Sequence, residues 1–569
     1  MVMWLDTMPM ISLATSERPG RAIRKLACVG AVAISLSILS ACAGESTTDG
    51  EIGRPNILFI MSDDHSERAI SAYGSTLINT PNIDRIADEG VIFRNSFVAN
   101  SICGPSRAIM LTGKHSHKNG FRSNNDQFDG SQPTYPQSLQ QAGYTTAVVG
   151  KWHLGSKPVG FDYWEILRGQ GHYYSPDFVT NTPTDITEEI IVTDDSGQVV
   201  EVELENHYAG AYSTTKIADL ALHFLDNRDK SKPFALIFNH KAPHRNWMPD
   251  VDELGEIDTS QLEVPDNFYD SYDGRPAAAA QEMEIDDMYL SYDLKLEQHE
   301  YAGDLENIAD GWAERWKTLY DRMSDAQRAK WNAYYAEANE EYQAVKHDPM
   351  KLLEWKYRRY MHDYLGSVLS MDRSIGRVLD YLDNAGLTEN TIVVYTSDQG
   401  FYIGEHGWFD KRFMYEESMR TPLAVRYPAG IAPNQVVTEL VQNIDYAPTL
   451  LDFAGVPTGA DIQGISLRPL LTGEAETLNR DSLYYHYYQG IETEHRVAKQ
   501  YGVRTATHKL IRFRDVGMDH WEMYDLQNDP GEMLNVYDDP AFDDIRQELH
   551  ERLQDLRTLY DDSSGEEQS

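Results

Sequence analysis

The chain has 569 residues, 41% of them hydrophobic and 11% aromatic, a composition that suits one large folded domain with a smaller one beside it. Its formal net charge is −40, with 90 Asp and Glu against 50 Lys and Arg. That acidity excludes nucleic acid as a partner, because neutralising phosphates needs a basic surface, and it suits a saline habitat where salt screens self-repulsion.

Residues 1–42 read as a leader and not as part of the fold. Arg21, Arg24 and Lys25 precede an apolar run, Leu26–Ile38, that is too short and too rich in small residues to span a bilayer. Leu39-Ser40-Ala41-Cys42 resembles a bacterial lipoprotein cleavage box, with Cys42 as the lipidated first residue of the mature chain. The expectation is export with a lipid anchor in the bacterial envelope; an ordinary secretory signal is the alternative, and it also predicts export. Residues 43–54 read as a polar tether. Cys28 leaves with the leader and Cys42 carries lipid, so Cys103 remains unpaired, which calls for a chemical reason in an exported protein.

Asn56–Met61 is an apolar run of strand length, as a parallel strand buried on both faces requires, and it ends in Asp63 and Asp64. Carboxylates at the carboxyl end of such a strand sit where open α/β sheets bind ligands. Asn82–Glu89 reads as a helix and Val91–Phe93 as a short strand. In Ser101–Gly113, Gly104-Pro105 marks a turn into a helix, with Cys103 at or just before its positive N-terminus. Tyr135–Ala142 predicts a helix and Thr145–Val149 a strand running into Gly150-Lys151-Trp152-His153. Strand alternation would put Lys151 and His153 on one face.

A helix around Tyr212–Asn227 precedes the strand Phe234–Asn239, which delivers His240, Lys241 and His244. Residues 250–348 form an insertion whose acid-rich first half reads as surface loops. Its second half carries Trp331, Tyr334, Tyr335, Ala338, Tyr342 and Val345 at helical spacing, read as packing. Asp348-Pro349 caps a long helix that ends near Gly386. Thr391–Ser397 is the last strong core strand and ends in Asp398 and Gln399. Past residue 470, Ser482–Tyr488, Tyr501–Thr505, Lys509–Phe513 and Trp521–Leu526 predict antiparallel strands, then Ala541–Tyr560 a helix, then an acidic, disordered tail over 561–569.

Cys103-Gly104-Pro105-Ser106-Arg107 followed by Leu111-Thr112-Gly113 resembles the signature of the type I sulfatases, whose cysteine is oxidised after synthesis to formylglycine. Asp63-Asp64, Gly150–Gly155, Ala242-Pro243-His244 and Asp398-Gln399 with Lys411 resemble the family's other elements in order, over residues 55–530. The resemblance implies an α/β, alkaline-phosphatase-like fold: a large, mostly parallel sheet between helices over residues 55–470, and a C-terminal antiparallel subdomain over 471–560. It implies a formylglycine at Cys103, made by a formylglycine-generating enzyme, and Ca²⁺ held by Asp63, Asp64, Asp398, Gln399 and residue 103. Arg107, Lys151 and Lys411 would bind the sulfate, His244 would protonate the leaving oxygen, and His153 would assist sulfate release. Gln399 departs from the Asn or His of many members but still offers a carbonyl oxygen. His406 beside Lys411, and Arg504 reaching back from the subdomain, are candidate sugar contacts.

The expected activity is hydrolysis of sulfate esters on a sulfated polysaccharide or oligosaccharide, marine algal ulvan first, then carrageenan, then N-acetylglucosamine 6-sulfate of glycosaminoglycans. The alternatives are a phosphonate or phosphate ester hydrolase of the same superfamily, and a non-catalytic glycan-binding lipoprotein.

Overall fold

Seven consecutive buried residues, Asn56–Ser62, form the central strand of an eleven-stranded sheet, as a continuous apolar run requires when both faces are covered. The structure, a computed structural model, describes residues 53–193, 199–296 and 312–564. The leader, Cys42 and most of the tether lie outside them. In spatial order the strands are Gln435–Val437, Val91–Phe93, Leu423–Arg426, Thr391–Ser397, Asn56–Ser62, Phe234–Asn239, Thr145–Lys151, Tyr163–Leu167, Asp177–Thr180, Val199–His207 and Thr187–Thr193. The run from Thr391–Ser397 to Tyr163–Leu167 is parallel, and antiparallel pairs flank it on both sides.

Side-chain alternation splits the core in two. Leu58 and Ile60 join Ile83, Ile217 and Ile375 from the helices Pro81–Asp88, Ser213–Asn227 and Pro349–Asn384. Ile57, Phe59 and Met61 join Met110, Leu139 and Leu450 from Cys103–Thr112, Tyr135–Gln141 and Tyr446–Phe453 on the other face. The mostly parallel sheet between helices is the expected alkaline-phosphatase-like layering.

Register then positions the site. Ser62 pairs with Ser397, Met61 with Asn239, and Asn239 with Gly150, so the loops after four neighbouring strands leave one sheet edge together. Gly150 is required there: its φ is +91°, and a Cβ would lie 1.8 Å from the Asn239 carbonyl oxygen.

The insertion departs from its sequence reading. Residues 250–296 are not surface loops, because Ile285, Leu294, Leu296, Arg275 and Lys295 are buried among them. Acidic side chains here are anchored by buried cations: Lys295 lies 2.8 Å from Asp363 of the long helix, and Arg275 pairs with Asp270. The aromatic stripe is packing as read, with Trp331 and Tyr335 stacked at 4.3 Å inside the core.

The C-terminal subdomain is a four-stranded antiparallel sheet, Ser482–Tyr487, Gln500–Thr505, His508–Asp515 and Met518–Asp525, covered by the helix Asp543–Tyr560. Its other face packs Tyr485, Tyr487 and Phe513 against Trp408 and Phe413 of the catalytic domain. The tail reading is corrected at its start: Asp562 is buried, and accepts hydrogen bonds from Tyr484 Oη at 2.6 Å and the His486 ring at 2.8 Å.

Candidate active site

Cys103 opens the helix Cys103–Thr112, which starts as the Gly-Pro signal predicts and ends at Gly113 with φ +65°. Gly104 is dictated by close approach, since a Cβ would fall 2.6 Å from the Phe121 ring and 2.9 Å from Asn124 Oδ1. The Cys103 Sγ is buried, 3.4 Å from Asp63 Oδ1. Burial and the Asp63 charge push its thiol far above the usual range. The unmodified side chain is therefore a protonated thiol and not a thiolate nucleophile.

Three fully buried carboxylates face it. Oxygens of Asp63, Asp64 and Asp398 lie within 4.8 Å of one another, an arrangement that like charges resist unless cations intervene. Lys151 pairs with Asp63, Lys411 Nζ lies 2.6 and 2.8 Å from the two oxygens of Asp64, and Arg107 grips Asp398 Oδ2 at 2.8 and 3.0 Å. Burial alone would raise Asp63, but Lys151, His244, Arg107 and Lys411 hold it well below the usual carboxylate range. Asp64 is pushed up to about 7 by burial and by its acidic neighbours, against Lys411. Tyr364, from the long helix, fixes this loop by donating to the Asp64 carbonyl at 2.8 Å and accepting from the Ser66 N–H at 2.9 Å.

The donor set fits a hard divalent cation. Three carboxylates converge, and the buried carbonyl oxygen of Gln399 has no hydrogen-bond partner. Oxygen ligands of this kind suit calcium or magnesium and not a soft metal.

Burial, with Lys151 next, holds the His244 ring well below its usual pKa, so it is neutral in the resting site. Its Nδ1 lies on the Arg245 carbonyl, so Nδ1 keeps the proton and Nε2, 3.8 Å from Asp64 Oδ2, faces the cluster as an acceptor. His240 is buried, its ring set edge-on to Phe238 at 4.4 Å. The strand argument for Lys151 and His153 is corrected: the strand ends at Lys151, and His153 has φ +57°. A left-handed turn, not strand alternation, brings its ring near the cations. Burial and then Lys151 keep it neutral.

His406 and Arg504 do not reach the cavity. His406 is buried, bonded through Nδ1 to Asp270 at 2.7 Å. Arg504 is buried with its guanidinium 3.0 Å from Glu416 and over the Phe97 ring at 4.4 Å. Arg504 thereby braces the junction between the subdomain and the catalytic domain. Sequence proximity to Lys411 misled for His406, because Lys411 points into the cavity and the turn at His406, φ +57°, points away.

A cavity of about 510 Å³ opens onto Cys103, Asp64, His244 and Lys411. Its other walls went unread in the sequence. Asp410 and Arg412 flank Lys411, and His495 comes from the subdomain loop after Ser482–Tyr487. His495 Nε2 lies 2.9 Å from Asp410, and Arg412 pairs with the same carboxylate at 2.9 Å. Arg412 Nε is buried without a partner. The consecutive charges Asp410-Lys411-Arg412 were the available signal; nothing marked His495.

Two family models match the chain: "Sulfatase" over residues 55–456 and "N-sulphoglucosamine sulphohydrolase, C-terminal" over 404–559. The chain belongs to the sulfatase family. It is a sulfuric ester hydrolase. This sulfatase is 45% identical over 542 residues to an N-acetylglucosamine-6-O-sulfatase of Bacteroides thetaiotaomicron, covering 94% of this chain and 92% of the relative. It is 24% identical to an ulvan-active sulfatase of Formosa agariphila, covering 94% and 86%. A solved structure in complex with its substrate D-glucosamine-2-N,6-O-disulfate matches with a TM-score of 0.81 and 44% identity, covering 91% of this sulfatase and all of that chain.

Proposed function

We propose that this sulfatase removes the 6-O-sulfate of glucosamine units in glycosaminoglycan-type saccharides, using calcium and a formylglycine made from Cys103. The observation that carries the substrate is the 45% identity to an N-acetylglucosamine-6-O-sulfatase, which extends over both domains that wall the cavity. The ulvan-first ordering is set aside, since the ulvan-active relative is 24% identical.

Formylglycine, once formed and hydrated, supplies the attacking hydroxyl, and calcium supplies positive charge beside it. The chain's own residues do the rest. Lys151, Lys411 and Arg107 place positive charge where it develops on the sulfuryl oxygens. Asp398, pinned by Arg107, takes the hydroxyl proton. His244 presents Nε2 to the leaving oxygen and delivers a proton there, the bound sulfate's negative charge favouring its protonated form. His153 assists the departure of sulfate. Arg412, tied to Asp410 and with its Nε unpartnered, offers a hydrogen bond to a sugar hydroxyl, and His495 holds Asp410 from the subdomain side.

The test is free-sulfate release, by protein co-expressed with a formylglycine-generating enzyme, from N-acetylglucosamine 6-sulfate beside ulvan and carrageenan oligosaccharides. The glucosamine 6-sulfate is expected to turn over and the algal substrates not. Losing one charged hydrogen bond to the sugar in Arg412→Ala should lower kcat/KM about 10- to 100-fold. Release from ulvan alone would overturn the substrate reading.

We further propose export and anchoring through Cys42, supported by the basic residues Arg21, Arg24 and Lys25, the short apolar run and the Leu39–Cys42 box. Labelled fatty acid fed to a bacterial host should appear in the protein and be lost in Cys42→Ala. Unchanged labelling of that variant would refute the anchor.

A further inference from the structure

The cations lining the cavity are, with one exception among the described residues, each matched by a carboxylate. Lys411 lies on Asp64, Arg412 on Asp410, and Arg245 on Asp293, through two contacts of 2.8 Å. The exception is Arg315, on the first turn of the helix Trp312–Asp321 within the insertion. Its guanidinium sits over the Trp312 ring, 4.5 Å from the centroid, and no described carboxylate is within ion-pair distance. Trp312 is itself braced, stacked on Tyr289 at 4.4 Å and against Tyr292 at 4.9 Å. Arg245 approaches the same indole at 5.4 Å.

The stack orders an exposed arginine at the cavity wall, and no described carboxylate neutralises it. In a chain carrying 90 acidic side chains against 50 basic ones, an arginine that among the described residues packs on an aromatic and not an acid is a site for an anion from outside. The two acids on the facing subdomain loop are already engaged: Glu494 lies 3.6 Å from Arg245, and Glu492 3.9 Å from Lys499.

Building on the proposed glucosamine 6-sulfate substrate, we propose that Arg315, held by Trp312, binds a second anionic group of the saccharide, distinct from the sulfate being cleaved. That group is a sulfate on the nitrogen of the same sugar or the carboxylate of an adjoining uronate; the chemistry recognised is the same.

Calorimetric titration of the full chain carrying Cys103→Ala, in calcium buffer and with or without Arg315→Ala, separates the possibilities. The probes are N-acetylglucosamine 6-sulfate, glucosamine 2-N,6-O-disulfate, and a uronate-containing disaccharide with one 6-sulfate. Arg315→Ala should weaken one or both doubly anionic probes about three- to fivefold, and the singly sulfated sugar less than twofold, as expected of an exposed charge contact. The effect should vanish in about 1 M salt, where screening reaches only ~3 Å. The probe that loses affinity names the source of the anion. Equal weakening of all three probes, or of none, overturns the proposal. If no probe binds the parent protein, the substrate reading falls and this one with it.

Discussion

Cys103→Ala is expected to lower sulfate release by at least about 10⁴-fold, the scale seen when a nucleophile is removed from a catalytic unit. The environment of the residue explains why so much depends on it. Its side chain is buried against Asp63, and burial with that carboxylate keeps a thiol protonated. The encoded residue is therefore a poor nucleophile in place, and the proposed chemistry requires its conversion. Wild-type protein made without a formylglycine-generating enzyme should be as inactive as the alanine variant, with mass spectrometry of the Cys103 peptide showing an unconverted thiol. Full activity in protein whose Cys103 peptide is unconverted would sink the formylglycine reading. The alanine variant should keep its fold, because a small side chain is exchanged for a smaller one at the head of a helix anchored elsewhere.

Stripping divalent cations should cost both activity and stability. Oxygens of Asp63, Asp64 and Asp398 lie within 4.8 Å at full burial, and Lys151, Lys411 and Arg107 pair with one carboxylate each. A chelator is expected to cut turnover by about 100-fold or more, since a bound cation supplies several kcal/mol to the transition state. The melting temperature should fall by several degrees, because a ligand held at about 100 times its Kd contributes ~2.7 kcal/mol to the folded state. Calcium should restore both, and magnesium less well, given the number of oxygen donors. Calorimetry alongside sulfate release decides it. A protein whose melting point and rate ignore chelation, with no metal found by elemental analysis, would leave the carboxylate cluster neutralised by its lysines and arginine alone.

Cys103, Asp63, Asp64, Asp398, Lys151 and His244 were singled out by the resemblance to the sulfatase motifs, and local patterns added only that most of them follow a buried strand or open a helix. Strand bounds followed from those local patterns: Phe234–Asn239 and Thr391–Ser397 are continuous apolar runs, and they occur in the structure as read. His153 shows the limit of local reasoning, since one left-handed residue breaks the alternation on which its placement rested. His406 and Arg504 show another. Whether a charged residue lies near Lys411 in sequence, like His406, or on a subdomain strand, like Arg504, says nothing about which buried acid its side chain finds first, here Asp270 and Glu416.

What the sequence by itself determined is the motif set: an unpaired cysteine, acidic residues and cations matching the sulfatase elements, several of them at strand ends that one parallel sheet brings to one edge. What only the tertiary structure decided is the shape around it. Asp410 and Arg412 face His495 from a subdomain loop some eighty positions later, and Trp312 with Arg315 closes a wall from an insertion that composition marks as surface. The physical reason is range. Periodicity and turn chemistry act over a few residues, whereas a cavity wall is set by burial and charge pairing between segments that meet only when the chain has folded.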